Sequence, residues 1–140
     1  MKQVLKKKLL KIAIILLVSY ALLVVLFESS LGYFQPESAS TLQIATIDAN
    51  GTVNQRILAR IDSAGQLYVA ANHWPRAWYR EALANPAVEV SLESGRGSYI
   101  AVPVERAEHY SVNAENSLGW MFRILTGFPP RYFLRLDPAG

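Results

Sequence analysis

The chain has 140 residues, 51% of them hydrophobic and 18% charged, with a net charge of +3. That length fits one domain with a short appendage, and the apolar share excludes a disordered tail. The absence of cysteine excludes a disulfide framework, a thiolate zinc site, an iron–sulfur cluster and a cysteine nucleophile, and His73 and His109 are too few for a structural zinc site.

The positive charge sits at one end. All five lysines (Lys2, Lys6, Lys7, Lys8 and Lys11) fall in the first eleven residues. From Ser29 onward nine Arg face ten Asp and Glu, so the body is near neutral and nucleic acid is not an expected partner. Residues 12–27 are sixteen positions without a charge, and Leu9 and Leu10 extend the run to 19 when Lys11 snorkels. At 1.5 Å per residue the run spans about 28 Å, close to the ~30 Å hydrocarbon core. A cleaved signal peptide and a buried core helix are the alternatives; against cleavage, Phe27 and Glu28 stand where small residues belong, and the tract 37–40 lies ten residues further on. Residues 1–28 are therefore expected to form a signal-anchor transmembrane helix that contacts membrane lipid. The lysines would stay cytoplasmic and the remainder would lie on the periplasmic or extracellular side. Residues 29–40, with Gly32 and Pro36, read as a polar linker.

Short strand signals follow. Residues 41–48 are apolar at Leu42 and Ile44 and again at Ala45 and Ile47, and Asn50-Gly51 is a strong two-residue hairpin signal. Residues 53–61 alternate, with Val53, Gln55, Ile57, Ala59 and Ile61 on one face and Asn54, Arg56, Leu58 and Arg60 on the other. A turn at 62–65 leads into 66–72, with Leu67, Val69 and Ala71 on one face, and completes an expected three-stranded meander. Pro75 suits a first helical turn and Asn85-Pro86 a stop, so a short helix with Trp78, Ala82 and Leu83 on one face is expected between them.

Residues 87–93 place Val88, Val90 and Leu92 inward, 94–97 turn, and 98–105 return with Ile100, Val102 and Val104 on one face. Pro103 marks that strand as an edge or a bulge. Residues 107–125 read as helix, with Val112 and Met121 among the apolar positions and Gly119 weakening the middle. Residues 131–136 give a last strand, Tyr132, Leu134 and Leu136 alternating against Phe133. Six strands and two short helices predict a mainly β domain over 41–137. The expected form is a small antiparallel barrel with Greek-key-like closure, a sandwich being the alternative.

Four arginines are candidates for an anionic ligand. Arg56 and Arg60 project from one strand face, while Arg76 and Arg80 stand at i, i+4 on the short helix. Like charges at that spacing oppose helix formation, and a cation in the first turn opposes the macrodipole; an anion at that N-terminus relieves both conflicts. Solvation, or pairing with Glu81, Glu89 or Asp62, is the competing explanation. Trp74, Trp78 and Tyr79 crowd one segment, which suits a planar ring but also suits packing of helix on barrel, for Trp78 above all. His73 and His109 lack Ser or Asp partners at motif spacing, and no hydrolase motif, phosphate loop or carboxylate pair occurs.

The run 71–90 contains Pro75-Arg-Ala-Trp-Tyr79 and then Ala82-Leu-Ala-Asn-Pro86-Ala-Val-Glu-Val90. It resembles the hallmark of the deazaflavin (F420)-dependent nitroreductase family, in which a small polar loop is followed by P-x-W-Y/F and by A-N-P, although here two residues, Arg76 and Ala77, separate Pro75 from Trp78. Residues 44–56 are similar to the first hairpin of the broader pyridoxamine-phosphate-oxidase-like flavin-binding group. The resemblance covers about residues 41–137. It implies a split β-barrel that binds F420, or alternatively FMN, and transfers hydride to a small nitro, quinone or enone acceptor.

Carried onto this sequence, the resemblance implies that Gly51 and Arg56 approach the cofactor phosphate. Arg60 would bind anionic groups, and the loop residues Asn72, His73, Trp74 and Arg76 would line the cofactor. Trp78 would pack beneath it, and Tyr79 and Tyr132 are the candidates for contact with the acceptor. A homodimer is a further implied expectation. The reading from another class is a cofactor-free, membrane-tethered binding or scaffold module.

Overall fold

Period-two alternation gives the chain after residue 40 its strands, and register then decides which face each strand turns inward. The computed structural model describes residues 2–33, 40–74 and 76–140. The elements are α1 (Lys2–Tyr33), β1 (Thr41–Ile47), β2 (Val53–Ala59), β3 (Ile61–Ser63), β4 (Gln66–Ala71), α2 (Ala77–Ala84), β5 (Ala87–Leu92), β6 (Gly95–Pro103), α3 (Arg106–Glu115), α4 (Trp120–Leu125) and β7 (Tyr132–Pro138).

The strands form one antiparallel sheet in the order β2-β1-β5-β6-β7-β4-β3. Its two end strands, β2 and β3, are consecutive in sequence and joined through Arg60 alone. One intervening residue spans only about 7 Å between flanking Cα atoms, so the two ends of the sheet must meet. The sheet therefore curls into a barrel whose seam at that corner is covalent, and β2 packs across onto β4.

The interior holds Leu42, Ile44, Val69, Val90, Leu134 and Leu136, each at most 2% exposed, with Trp78 and Ala82 of α2 closing one end. Burying a side chain of this kind stabilises the fold by about 1.5–3 kcal/mol. β4 and β7 are buried on both faces, because α3 covers the outside. Tyr68, Ala70 and Phe133 pack there with Val104 and Val112 in a second cluster.

The apolar helix is present and longer than expected, since α1 runs through Tyr33 into the expected linker. Within it Gln3–Leu31 is long and apolar enough to cross a membrane; its most apolar stretch has a mean hydropathy of 2.8 and is not buried against the rest of the chain. By length and composition such a helix also suits a signal segment. Of its less exposed positions, Tyr20, Val24, Phe27, Glu28, Ser30 and Leu31, all but Ser30 follow one stripe at helical spacing. The linker residues 34–39, including Pro36, lie outside the described residues, as does Pro75.

Several expectations are corrected by the register. There are seven strands rather than six, because the expected strand 53–61 breaks at Arg60 to cross from one sheet end to the other. The meander is absent: β4 pairs with β3 and β7, not with β2. Asn50-Gly51 is not a two-residue hairpin. Gly51 N–H donates to Asp48 O and Asp48 N–H to Thr52 O, with Gly51 at φ +81°, which is a turn closed by a left-handed residue.

The turn expected at 94–97 is Glu93-Ser94, and Arg96 and Gly97 belong to β6. In β6 the inward residues are Tyr99 and Ala101, opposite and beside the inward Val88 and Val90; Ile100 is 41% exposed. Pro103 is the final residue of a strand flanked on both sides, not an edge. The single helix expected over 107–125 is two, interrupted at residues 116–119, and Met121 is exposed.

Candidate functional site

The chain between β4 and α2 carries the residues singled out from the sequence, and most of them are held by protein groups. Arg76, just before α2, is 7% exposed. Its guanidinium donates to the carbonyls of Pro130 (2.7 Å) and His73 (3.3 Å). It also lies over the Trp74 ring at 4.3 Å and the Tyr132 ring at 4.8 Å. Tyr132 in turn stacks on Tyr79 at 5.5 Å, and Tyr79 meets Trp78 edge-on at 5.9 Å. Two π faces and two carbonyls thus surround one cation. Burial pushes the Tyr79 hydroxyl above its ordinary pKa. Trp78 faces the core, whereas Trp74 and Tyr132 are 47% and 41% exposed, leaving part of each ring open.

The rest of the loop is tied to distant elements. His73 Nδ1 is 2.9 Å from both Glu28 Oε2 and Trp74 O. Both partners are acceptors, so Nδ1 carries the proton. Asn72 Oδ1 accepts from Arg131 Nε at 2.8 Å, and Arg131 also donates to Asn113 Oδ1 (2.9 Å) and Asn116 O (2.6 Å). Burial lowers the Arg131 pKa. A cleft of about 340 Å³ opens here, lined among others by Asn72, His109, Asn113, Phe128 and Arg131.

A second cleft, of about 240 Å³, lies between β2 and α2 and is lined by Asn54, Gln55, Arg56, Ala77, Trp78 and Glu81. Arg56 pairs in register with the buried Ile44, which puts its side chain on the interior face at the barrel rim. Asn54, opposite Thr46, follows the same rule; Thr46 Oγ1 donates to Glu81 Oε2 at 2.6 Å and Asn54 Nδ2 to Glu81 Oε1 at 3.3 Å. Among the described residues Arg56 makes no hydrogen bond or ion pair, although it is half-buried. The first turn of α2, which borders the same cleft, has no side-chain cap. An anion placed there would meet a guanidinium and the free N–H groups of a helix start.

Arg60 does not join this group. At the corner between β2 and β3 it forms a bidentate pair with Asp62 at 2.7 and 3.0 Å, which raises its pKa. Gly51 lies in the β1–β2 turn, and Arg80 is exposed on α2. The structure thus brings Arg56 and Trp78 to one cleft and Asn72 to the other, and sets His73, Trp74, Arg76, Tyr79 and Tyr132 between them.

Two clusters escaped the sequence reading. One is the Arg131 clamp. The other joins Arg135 to Glu108 Oε1 at 2.8 Å and to both Asp137 oxygens at 2.7 and 3.1 Å, with the Tyr68 hydroxyl also donating to Glu108 at 2.8 Å. Arg135 holds both carboxyls below their ordinary values, and burial raises the Tyr68 hydroxyl. The i, i+2 spacing of Arg135 and Asp137 on one strand face was the legible signal; Glu108 required the tertiary fold.

No protein-family model matches the sequence, and no curated protein matches it. Solved structures do share its architecture. The heme storage protein HutZ from Vibrio cholerae is 23% identical with a TM-score of 0.56, covering 74% of this chain and 84% of that one. An F420-H2-dependent reductase, FDR-A, is 18% identical with a TM-score of 0.57, covering 74% and 99%. A structure described as a domain-swapped dimer is 17% identical with a TM-score of 0.58, covering 72% and 82%. At these identities the likeness concerns the fold alone.

Proposed function

We propose that this chain is a membrane-anchored redox protein that binds a flavin or deazaflavin and passes hydride to a small nitro, quinone or enone acceptor. The observation that carries the reading is Arg56: a half-buried, inward-facing guanidinium with no partner among the described residues, beside the uncapped start of α2. A half-buried guanidinium that pairs with no described residue is available to hold an anion through charge-assisted hydrogen bonds. At its phosphate end Arg56 and the first turn of α2 would hold the group, while Asn54 is engaged with the Glu81 carboxylate that lines the same cleft. The exposed faces of Trp74 and Tyr132 would lie along a planar ring. The hydride chemistry belongs to the cofactor when bound; the protein supplies anchoring and ring orientation. Fold likeness to a reductase supports the class without naming the substrate.

In this reading α1 is the anchor, with its lysines cytoplasmic and residues 41–137 forming the domain beyond the membrane. A homodimer belongs to the same proposal, supported by the domain-swapped dimer among the structures of like fold.

A second reading, a cofactor-free tethered module, is favoured by a different observation. Arg76, Asn72 and His73, which the resemblance assigns to the cofactor, are already engaged by protein groups. The full-length protein in detergent, titrated with FMN, F420 and haem and followed by absorbance and fluorescence, separates the two. Micromolar binding of FMN or F420 that weakens about 10- to 100-fold in Arg56→Ala supports the first reading. Absence of binding by all three supports the second, and binding of haem alone redirects the assignment.

A further inference from the structure

We infer that α4 and the turn after it form a membrane-docking element, seated in the headgroup region of the same bilayer leaflet that α1 leaves. The inference rests on the reading of α1 as a membrane span. Three contacts fix where α4 sits along α1. The Tyr20 hydroxyl donates to Ile124 O at 2.8 Å, Phe27 meets Phe122 edge-on at 6.0 Å, and Val24 lies against Gly127. A Cβ on Gly127 would approach Val24 Cγ1 to 3.2 Å, and its φ of +74° is itself glycine-favouring, so the turn is shaped to this approach.

The depth follows from counting residues. The charge-free run of α1 ends at Phe27, and Tyr20 lies seven residues inside it, about 10 Å along the axis. A span of about 20 residues that ended at Tyr20 instead, leaving α4 in water, would include all five lysines. The lysines therefore hold α1 in a register that carries α4 below the membrane surface, at the depth of ~5–10 Å common to interfacial helices.

The surface of this element suits that position. Trp120 is 68% exposed, Met121 51% and Phe128 56%. Phe128 is held at φ +53°, a conformation uncommon for a bulky residue, and its ring lies against the Arg123 guanidinium at 5.6 Å. Between Glu115 and Asp137 the chain has no acidic residue and three arginines, so nothing there repels an anionic headgroup. Exposed tryptophan and apolar side chains together with arginine on one short element suit a helix lying in the interface.

The natural chain has no cysteine, which makes a spin-label depth measurement direct. Single variants Leu16→Cys, Met121→Cys, Phe128→Cys and Ser98→Cys, all at exposed positions, are labelled in the full chain and reconstituted into phosphatidylcholine–phosphatidylglycerol vesicles. Relaxation by oxygen and by a nickel chelate then reports depth. Labels at 16, 121 and 128 are expected to favour oxygen over the chelate by several-fold, with the reverse at 98. Leu16 in lipid with both 121 and 128 in water overturns the docking element alone. Leu16 in water overturns the anchor and the docking element together.

Discussion

His73 Nδ1 and Glu28 Oε2 lie 2.9 Å apart, joining the loop before α2 to α1 across forty-five residues. The Glu28 side chain is 8% exposed, and its other oxygen, Oε1, is buried without a hydrogen-bond partner among the described residues. A carboxylate so placed depends on the histidine for its satisfied oxygen. His73→Ala and Glu28→Ala should each destabilise the protein by about 1–3 kcal/mol. The double variant should cost clearly less than the sum, measured by denaturant unfolding in detergent. Additivity within about 0.3 kcal/mol would show that the pair is not coupled.

The two inward arginines should behave oppositely. Arg56 has no protein partner among the described residues, so Arg56→Ala should leave stability within about 0.5 kcal/mol of the natural protein while weakening anion binding. Arg76 satisfies two carbonyls and lies between two rings, so Arg76→Ala should cost about 2–4 kcal/mol. Equal losses in thermal melts of the two variants would contradict this division of roles.

Arg131 spans Asn72, Asn113 and Asn116 with a planar fork, and a point charge does not reproduce that geometry. Arg131→Ala and Arg131→Lys should both destabilise, by about 3 and 2 kcal/mol respectively. Hydrogen exchange should rise at residues 113–117 and at Asn72 in both. Full rescue by lysine would reduce the clamp to a simple charge effect.

Acid should act through the cluster around Arg135. Its guanidinium, and for Glu108 also the Tyr68 hydroxyl, holds the Glu108 and Asp137 carboxyls below their ordinary values. Carboxyls lowered in the fold contribute stability above their unfolded values near 4, and that contribution is lost as pH falls through the folded values. Denaturant midpoints should therefore drop below about pH 4, and Arg135→Met should flatten that part of the pH profile. An unchanged acid slope in Arg135→Met would place the sensitivity elsewhere.

The sequence by itself determined what depends on neighbours along the chain. The charge-free run that follows the lysines makes that stretch of α1 apolar all round, Asn85-Pro86 stops α2, and alternation at Val88 and Val90 orients β5 because both are apolar and Glu89 between them is charged. Arg56 and Arg60 were legible only as cationic residue types on one strand face, and only the fold showed Arg60 paired with Asp62. The tertiary structure alone decided which face turned inward, where strand 53–61 broke, and that Arg60 is paired while Arg56, among the described residues, is not. Arg56 points into the barrel rim because β1 opposes it with Ile44, and Arg60 sits at the corner because two sheet ends must meet there. Those outcomes depend on pairing between distant strands, and a period of two reads the same whichever face the partner strand buries.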